Sequence, residues 1–191
     1  HLHAAAAAVP QFVAVAGGPG LGKTRLIEQL LQLAGAAGWT VCRGYCENYL
    51  GALPLQPFVQ MLRAHFGIVH ETPAPRAALA VETGLQALGP AASAYREALL
   101  HALSLALPGP AAPPGSPQVV AALCKVFDTL AARRPLLLFI DDWQWADDAS
   151  HQVLEAIRTL PCPIFVLVST RDAAAARGAE ILPLEPLNAE E

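Results

Sequence analysis

Wholly apolar strands alternating with amphipathic helices predict an α/β fold of three layers, α/β/α, around a central parallel sheet. Residues 12–16 (FVAVA), 136–140 (LLLFI) and 164–168 (IFVLV) are apolar at every position, as strands buried on both faces are. Helical-period segments separate them. Each run also ends in a polar cluster, at 17–24, 141–142 and 169–171. Ligands of open parallel sheets bind at the carboxyl ends of the strands, so these clusters, scattered in sequence, are expected to converge in space.

The elements follow in order. After the strand at Phe12–Ala16 and a glycine-rich loop, Leu26, Ile27, Leu30, Leu31 and Ala34 mark a helix from Thr24, with Gly35 as its stop. Thr40–Tyr45 reads as a second strand, 47–53 as a loop. A helix is expected over 54–66, with Phe58, Met61, Leu62 and His65 on one face. Pro73 and Pro75 break the chain before two helices at 76–88 and 91–106, the second carrying Leu99, Leu100, Leu103 and Leu107. Pro108–Pro117 holds five prolines and two glycines and reads as an exposed linker. A helix over 117–133 turns Val120, Leu123, Val126, Phe127 and Leu130 inward. Ser150–Leu160 is helical, and Ala179–Leu182 can form a last short strand.

Composition bounds the function. In 191 residues, 54% hydrophobic and 15% charged, there is material for a buried core and no sign of a disordered chain. The net charge of −4 and the two lysines, Lys23 and Lys125, give no nucleic-acid face. No apolar run reaches the roughly 18–20 residues that cross a bilayer. The opening alanines imitate a signal peptide without its basic start, so a cytoplasmic location without membrane contact is expected. Cys42 and Cys46 have no second pair nearby to complete a zinc site; with Cys124 and Cys162 they read as reduced, buried thiols.

Gly17-Gly18-Pro19-Gly20-Leu21-Gly22-Lys23-Thr24 satisfies G-x-x-x-x-G-K-[ST] in full, between a strand and a helix. Glycines at these positions let successive backbone N–H groups curl round a phosphate, assisted by the helix N-terminus. Lys23 is expected at the β- and γ-phosphates and the Thr24 hydroxyl on Mg²⁺, with Arg25 completing the binding segment. Asp141, at the tip of a buried strand, fits the acid that holds Mg²⁺ directly or through water. Asp142 either polarises the attacking water as general base or orients a neighbour. In Ser169-Thr170-Arg171, a hydroxyl and a guanidinium at a neighbouring strand end can sense the γ-phosphate; the competing reading is an exposed Arg171 paired with Asp172. Asp147 or Asp148 reads as an N-cap. Trp143 and Trp145 read as packing anchors or a partner surface, with packing the safer of the two.

Three runs together, Gly17–Leu26 (GGPGLGKTRL), Leu136–Ser150 (LLLFIDDWQWADDAS) and Val168–Arg171 (VSTR), resemble the STAND class of AAA+-related P-loop ATPases. They are most similar to the ATPase domains of bacterial LuxR-type and SARP-type transcription regulators and of adenylate cyclase-associated proteins. Arg43–Cys46 and Leu53–Phe58 fit the same group. The resemblance implies a three-layer P-loop NTPase core over 1–191, about five parallel strands in the order 5-1-4-3-2, and a helical insertion over about 54–117. It also implies an ATP/ADP- and Mg²⁺-dependent switch that hydrolyses ATP slowly, with Arg171 as the strand-end arginine on the γ-phosphate. Expected partners are the nucleotide, a second copy, or other domains of the same polypeptide. The tail at Leu182–Leu187 looks like the join to a helical lid and winged-helix region that these residues do not include. A small-molecule kinase, a non-hydrolysing nucleotide scaffold and a DNA-replication loader are the alternatives. The acidic balance disfavours the last, and the Asp141-Asp142 pair favours water over a metabolite as acceptor.

Overall fold

A computed structural model describes residues 10–48, 54–106 and 114–185. Five strands form one parallel sheet: β1 (Gln11–Ala16), β2 (Thr40–Tyr45), β3 (Leu136–Asp141), β4 (Ile164–Thr170) and β5 (Glu180–Pro183). Their order is β2-β3-β4-β1-β5, the expected 5-1-4-3-2 read from the other edge. β4 lies between β3 and β1, the strands that lead into Asp141 and the glycine loop. Ala16 pairs with Thr170 on one side of it, and Ile140 with Val168 on the other. The carboxyl ends of β1, β3 and β4 therefore share one rim.

Period-two alternation divides the core between two faces of the sheet. Val13, Val15, Leu137, Phe139, Phe165 and Leu167 pack with Ile27, Leu31 and Ala34 of helix α1 (Lys23–Ala36). Ala14, Leu136, Leu138, Ile140, Val166 and Val168 face the larger core. That core is completed by α2 (Gln56–His65), α3 (Ala74–Leu88), α4 (Pro90–Ser93), α5 (Arg96–Ala102), α6 (Ser116–Arg133) and α7 (Asp148–Arg158). α2 packs tightly on β2: a Cβ at Gly44 would lie 2.3 Å from the Pro57 carbonyl oxygen, so only glycine allows the approach.

Several local expectations are corrected. α1 does not stop at Gly35; it runs on to Ala36. Gly38, at φ 84, closes it as Gly38 N donates to Gly35 O and Trp39 N to Ala34 O, the double bond pattern of a Schellman cap. The helix expected over 91–106 is two pieces, α4 and α5, parted at Ala94-Tyr95. α5 ends because Ser104 adopts φ 57, with Leu105 N bonded to Leu100 O at 2.7 Å. Leu99, Leu100 and Leu103 are buried as expected, and Leu107 lies outside the described residues.

On α6 the buried stripe runs through Val119, Leu123, Val126, Phe127 and Leu130, one residue ahead of the expected start, which leaves Val120 on its flank. His65 faces solvent: at the last turn of α2 the buried place is taken by Phe66, against whose ring the imidazole rests edge-on at 5.1 Å. Leu26 is 47% exposed, because the inward stripe of α1 is Ile27, Leu31 and Ala34. The linker expected at 108–117 and the loop at 47–53 fall largely outside the described residues, as does the tail from 186.

Candidate nucleotide site

β1 ends in the glycine loop. Gly17 N donates to Thr170 O at 3.2 Å, which fixes the start of the loop to the end of β4. Gly20 and Gly22 hold φ 81 and 83, the left-handed region that other residues enter at a cost. Nothing lies within 4 Å of a Cβ at either position, so conformation, not space, demands glycine there. Gly17 sits in a tight place: a Cβ would stand 3.0 Å from the Leu184 carbonyl oxygen, so the neighbouring chain would have to give way. Gly22 caps α1 without a side-chain acceptor, and the first turn carries no acidic residue. Among the described residues the leading N–H groups of α1 thus have no side-chain partner at the positive end of the helix, an arrangement that favours an anion.

Lys23 spans the mouth of the loop. Its Nζ donates to Gly17 O at 2.7 Å and to Gly18 O at 2.8 Å. An ammonium has three protons, so one donor remains for a ligand. Pro19, Thr24 and Arg25 are exposed on the same rim and Gly18 and Leu21 half-buried. The Thr24 hydroxyl has no hydrogen-bond partner among the described residues.

The acidic rim is more tightly organised. Asp141 Oδ1 accepts from the Ser169 hydroxyl and, at 3.1 Å, from Asp142 N; Asp141 Oδ2 has no partner among the described residues. Asp142 has left the strand: at φ 53, ψ 44 it is left-handed, a conformation Asp tolerates better than most side chains. Its N–H also donates to Ser169 Oγ at 3.0 Å. Its carboxylate accepts from Gln144 Nε2 at 2.7 Å and lies 3.9 Å from Arg171 Nε. Cys46 N donates to Asp141 O at 3.0 Å, bringing the end of β2 to the same rim. Burial, then the carboxylates of Asp147, Asp142 and Asp141, push the Cys46 thiol up to about 12. Burial is the larger cause, and the three carboxylates add to it.

The third cluster divides. Ser169, 1% exposed, is committed to Asp141 and Asp142 and does not project into the mouth. The Thr170 hydroxyl is committed to a local turn with the Asp172 backbone. Only Arg171 projects, its side chain 58% exposed, and its nearest carboxylate is Asp142, not Asp172, which instead caps Ala174 N at 2.9 Å.

Asp147 is the N-cap of α7, accepting from Ser150 N at 2.9 Å and Ser150 Oγ at 2.8 Å. Its Oδ2 also accepts from Leu55 N at 3.0 Å, a bond spanning 92 positions that ties the start of α2 to the acidic rim. Trp143 is buried and edge-on to His151 at 4.8 Å. Trp145 is 45% exposed and is no packing anchor; in a 3₁₀ turn residues two apart point to different sides, so only one of the pair can turn inward. Sequence reasoning missed Gln144 and the Leu55–Asp147 bond. The signal for Gln144 was its place between two polar strand ends; nothing in the spacing announces Leu55.

All four cysteines are free and buried, and no group of three or more metal-ligating side chains occurs among the described residues. Among the described residues, oxygens left without a hydrogen-bond partner and available to a hard cation include Thr24 Oγ1 and Asp141 Oδ2. Such a sparse set suits Mg²⁺, which keeps several waters and leans on phosphate oxygens. No described helix is long and apolar enough to cross a membrane.

A family model described as an AAA ATPase domain matches residues 1–168. No curated protein shows significant similarity to the chain. A phosphate-type glycine loop and an acidic strand end share one rim of a 5-1-4-3-2 parallel sheet, and the family match runs through both; the chain belongs to the AAA ATPase domain family.

Proposed function

We propose that the chain is the nucleotide-reading core of a Mg²⁺-dependent signal-transduction switch from a larger bacterial regulatory protein, binding ATP and hydrolysing it slowly. On this reading α2–α5 are an insertion into the core, and the lid and winged-helix regions belong to the remainder of that protein. The observation that carries it is the shared rim. Among the described residues Lys23 keeps one donor without a partner at the loop mouth, and Asp141 is held by Ser169 with one oxygen unpartnered.

The roles follow from the chemistry. The backbone of Gly17–Gly22 cradles the phosphates with Arg25 flanking, and Lys23 reaches the β- and γ-oxygens. Thr24 and Asp141 hold Mg²⁺, which supplies neutralisation of phosphate charge when bound. Asp142 orients and deprotonates the attacking water, and Arg171 meets the γ-phosphate with planar donors. The Asp141-Asp142 pair suits water as the acceptor, which favours a hydrolase over a kinase, and the resemblance to regulators supports a switch.

Nucleotide binding and phosphate release test the reading directly. Lys23→Ala is expected to weaken ATP binding by roughly tenfold or more, as loss of a charge-assisted contact does. Asp142→Asn is expected to lower phosphate release by about 10²–10⁴-fold with binding retained. ATP binding unchanged in Lys23→Ala would refute the site. Phosphate found on an added acceptor metabolite, and not in water, would turn the reading to a phosphotransferase.

A further inference from the structure

Asp142 stands just beyond the end of β3 in a left-handed conformation, and its N–H is already used by Ser169 Oγ and Asp141 Oδ1. Those bonds fix its backbone and leave its side chain to be aimed by something else. The only hydrogen-bond donor on its carboxylate among the described residues is Gln144 Nε2, at 2.7 Å to Oδ1; Oδ2 is unpartnered. The other end of the same amide, Gln144 Oε1, accepts from Arg171 N at 3.1 Å. One side chain therefore spans from the end of β3 to the end of β4.

The polarity of this bridge is determined without ambiguity. A carboxylate only accepts and a backbone N–H only donates, so the group between them must offer a donor to one and an acceptor to the other. A primary amide does this. A hydrocarbon offers neither, and a carboxylate offers only the half that suits Arg171. The 3₁₀ turn at Trp143–Trp145 positions the amide: Trp143 is buried, and Trp145 N and Ala146 N close on Asp142 O and Trp143 O at 3.0 Å each.

We propose that Gln144 is a positioning residue for hydrolysis: its amide holds the Asp142 carboxylate through Nε2 and the Arg171 strand end through Oε1, so that Oδ2 stays open to the attacking water. This rests on the hydrolase reading above, but the bridge itself can be tested apart from it. By orienting both the base and the backbone of the γ-phosphate arginine, Gln144 couples the two rim segments that must act together. It touches neither phosphate nor water on this account, so its loss should be felt in turnover and not in affinity.

The experiment uses the whole chain with Mg²⁺ and ATP, comparing wild type, Gln144→Ala, Gln144→Glu and Asp142→Asn. Phosphate release and ATP affinity are measured, together with exchange of the Arg171 amide by NMR. Gln144→Ala is expected to cut the turnover number about 10–100-fold, the scale of one charge-assisted hydrogen bond, with ATP affinity within about twofold. Its Arg171 amide, having lost its acceptor, should exchange faster. Gln144→Glu should lose turnover at least as far, because a carboxylate now faces a carboxylate, yet keep the Arg171 amide protected. A purely structural role would not separate the two readouts in this way.

Turnover in Gln144→Ala and Gln144→Glu equal to wild type, with Asp142→Asn inactive, would overturn the proposal and leave the hydrolase reading standing. If wild type itself releases no phosphate, the hydrolase reading fails, and with it a role for Gln144 in turnover. An Arg171 amide that exchanges as in wild type in Gln144→Ala would overturn the bridge whatever the activity.

Discussion

Replacing Asp147 with alanine removes bonds to Ser150 N, Ser150 Oγ and Leu55 N together. The cap is worth about 1 kcal/mol by itself. The Leu55 bond counts differently. Leu55 is 8% exposed and caps α2 in a left-handed conformation at φ 62, so its amide has little access to water once the acceptor goes. An orphaned amide of that kind costs about 1–3 kcal/mol. The Ser150 hydroxyl, though fully buried, can turn to a carbonyl of the preceding chain, so no further loss is assigned to it.

The expected destabilisation is therefore roughly 2–4 kcal/mol, or a fall in Tm of roughly 5–15 °C for a domain of this size. Urea denaturation followed by fluorescence of the buried Trp143 measures it. Asp147→Ser keeps the cap without reaching Leu55 and should fall between wild type and Asp147→Ala. Hydrogen exchange at the Leu55 amide should quicken in both variants. Asp147→Ala within about 0.5 kcal/mol of wild type would refute the reasoning, since a natural surface change costs no more than that.

Glycine positions give an opposed pair. Gly44→Ala brings a Cβ within 2.3 Å of the Pro57 carbonyl oxygen and 2.7 Å of its Cα; neither is a movable side-chain tip, so a loss of about 3 kcal/mol or more, or failure to fold, is expected in thermal melts. Gly35→Ala, inside α1 with nothing within 4 Å, should instead stabilise by about 0.5–1 kcal/mol. The thiols supply a pH test. Burial pushes Cys42, Cys124 and Cys162 to about 11 and Cys46 to about 12, from 9.0. The native state therefore holds protons that the unfolded chain gives up, so their contribution is fully present below pH 9 and is lost as pH rises through 11 to 12. Denaturation midpoints should decline above pH 9, and at pH 8 iodoacetamide should label the cysteines only after unfolding.

The inner strands β1, β3 and β4 were legible because burial on both faces leaves an unbroken apolar run, whereas the half-exposed edge strands β2 and β5 carry no such run and the strand order came only with the family resemblance. The glycine loop was legible because its chemistry requires fixed spacing, and the place of Asp141 because it closes an unbroken apolar strand. What could not be read joins distant positions: Ser169 to Asp141, Gln144 to Arg171, Asp147 to Leu55. Hydroxyls, amides and carboxylates have many possible partners, and only the folded sheet selects among them. Helix ends were misjudged where the terminating residue was unmarked, as at Ser104, whose left-handed backbone a serine does not advertise.

The pairing of β1 with β5 has a mechanical consequence. The strands run parallel, from Val13 opposite Glu180 to Ala16 opposite Pro183, with Leu184 N bonded to Ala16 O at 2.7 Å. Tension applied between residue 10 and residue 185 would load this seam in shear, straining its bonds together and not one after another. Pulled from residue 185, β5 begins to hand its load to β1 at Ala16, whose next residue is Gly17. Force carried by the chain beyond β5 would thus reach the phosphate loop before any other part of the sheet, and pulling experiments should find the seam stiffer when that loop is braced by a bound anion.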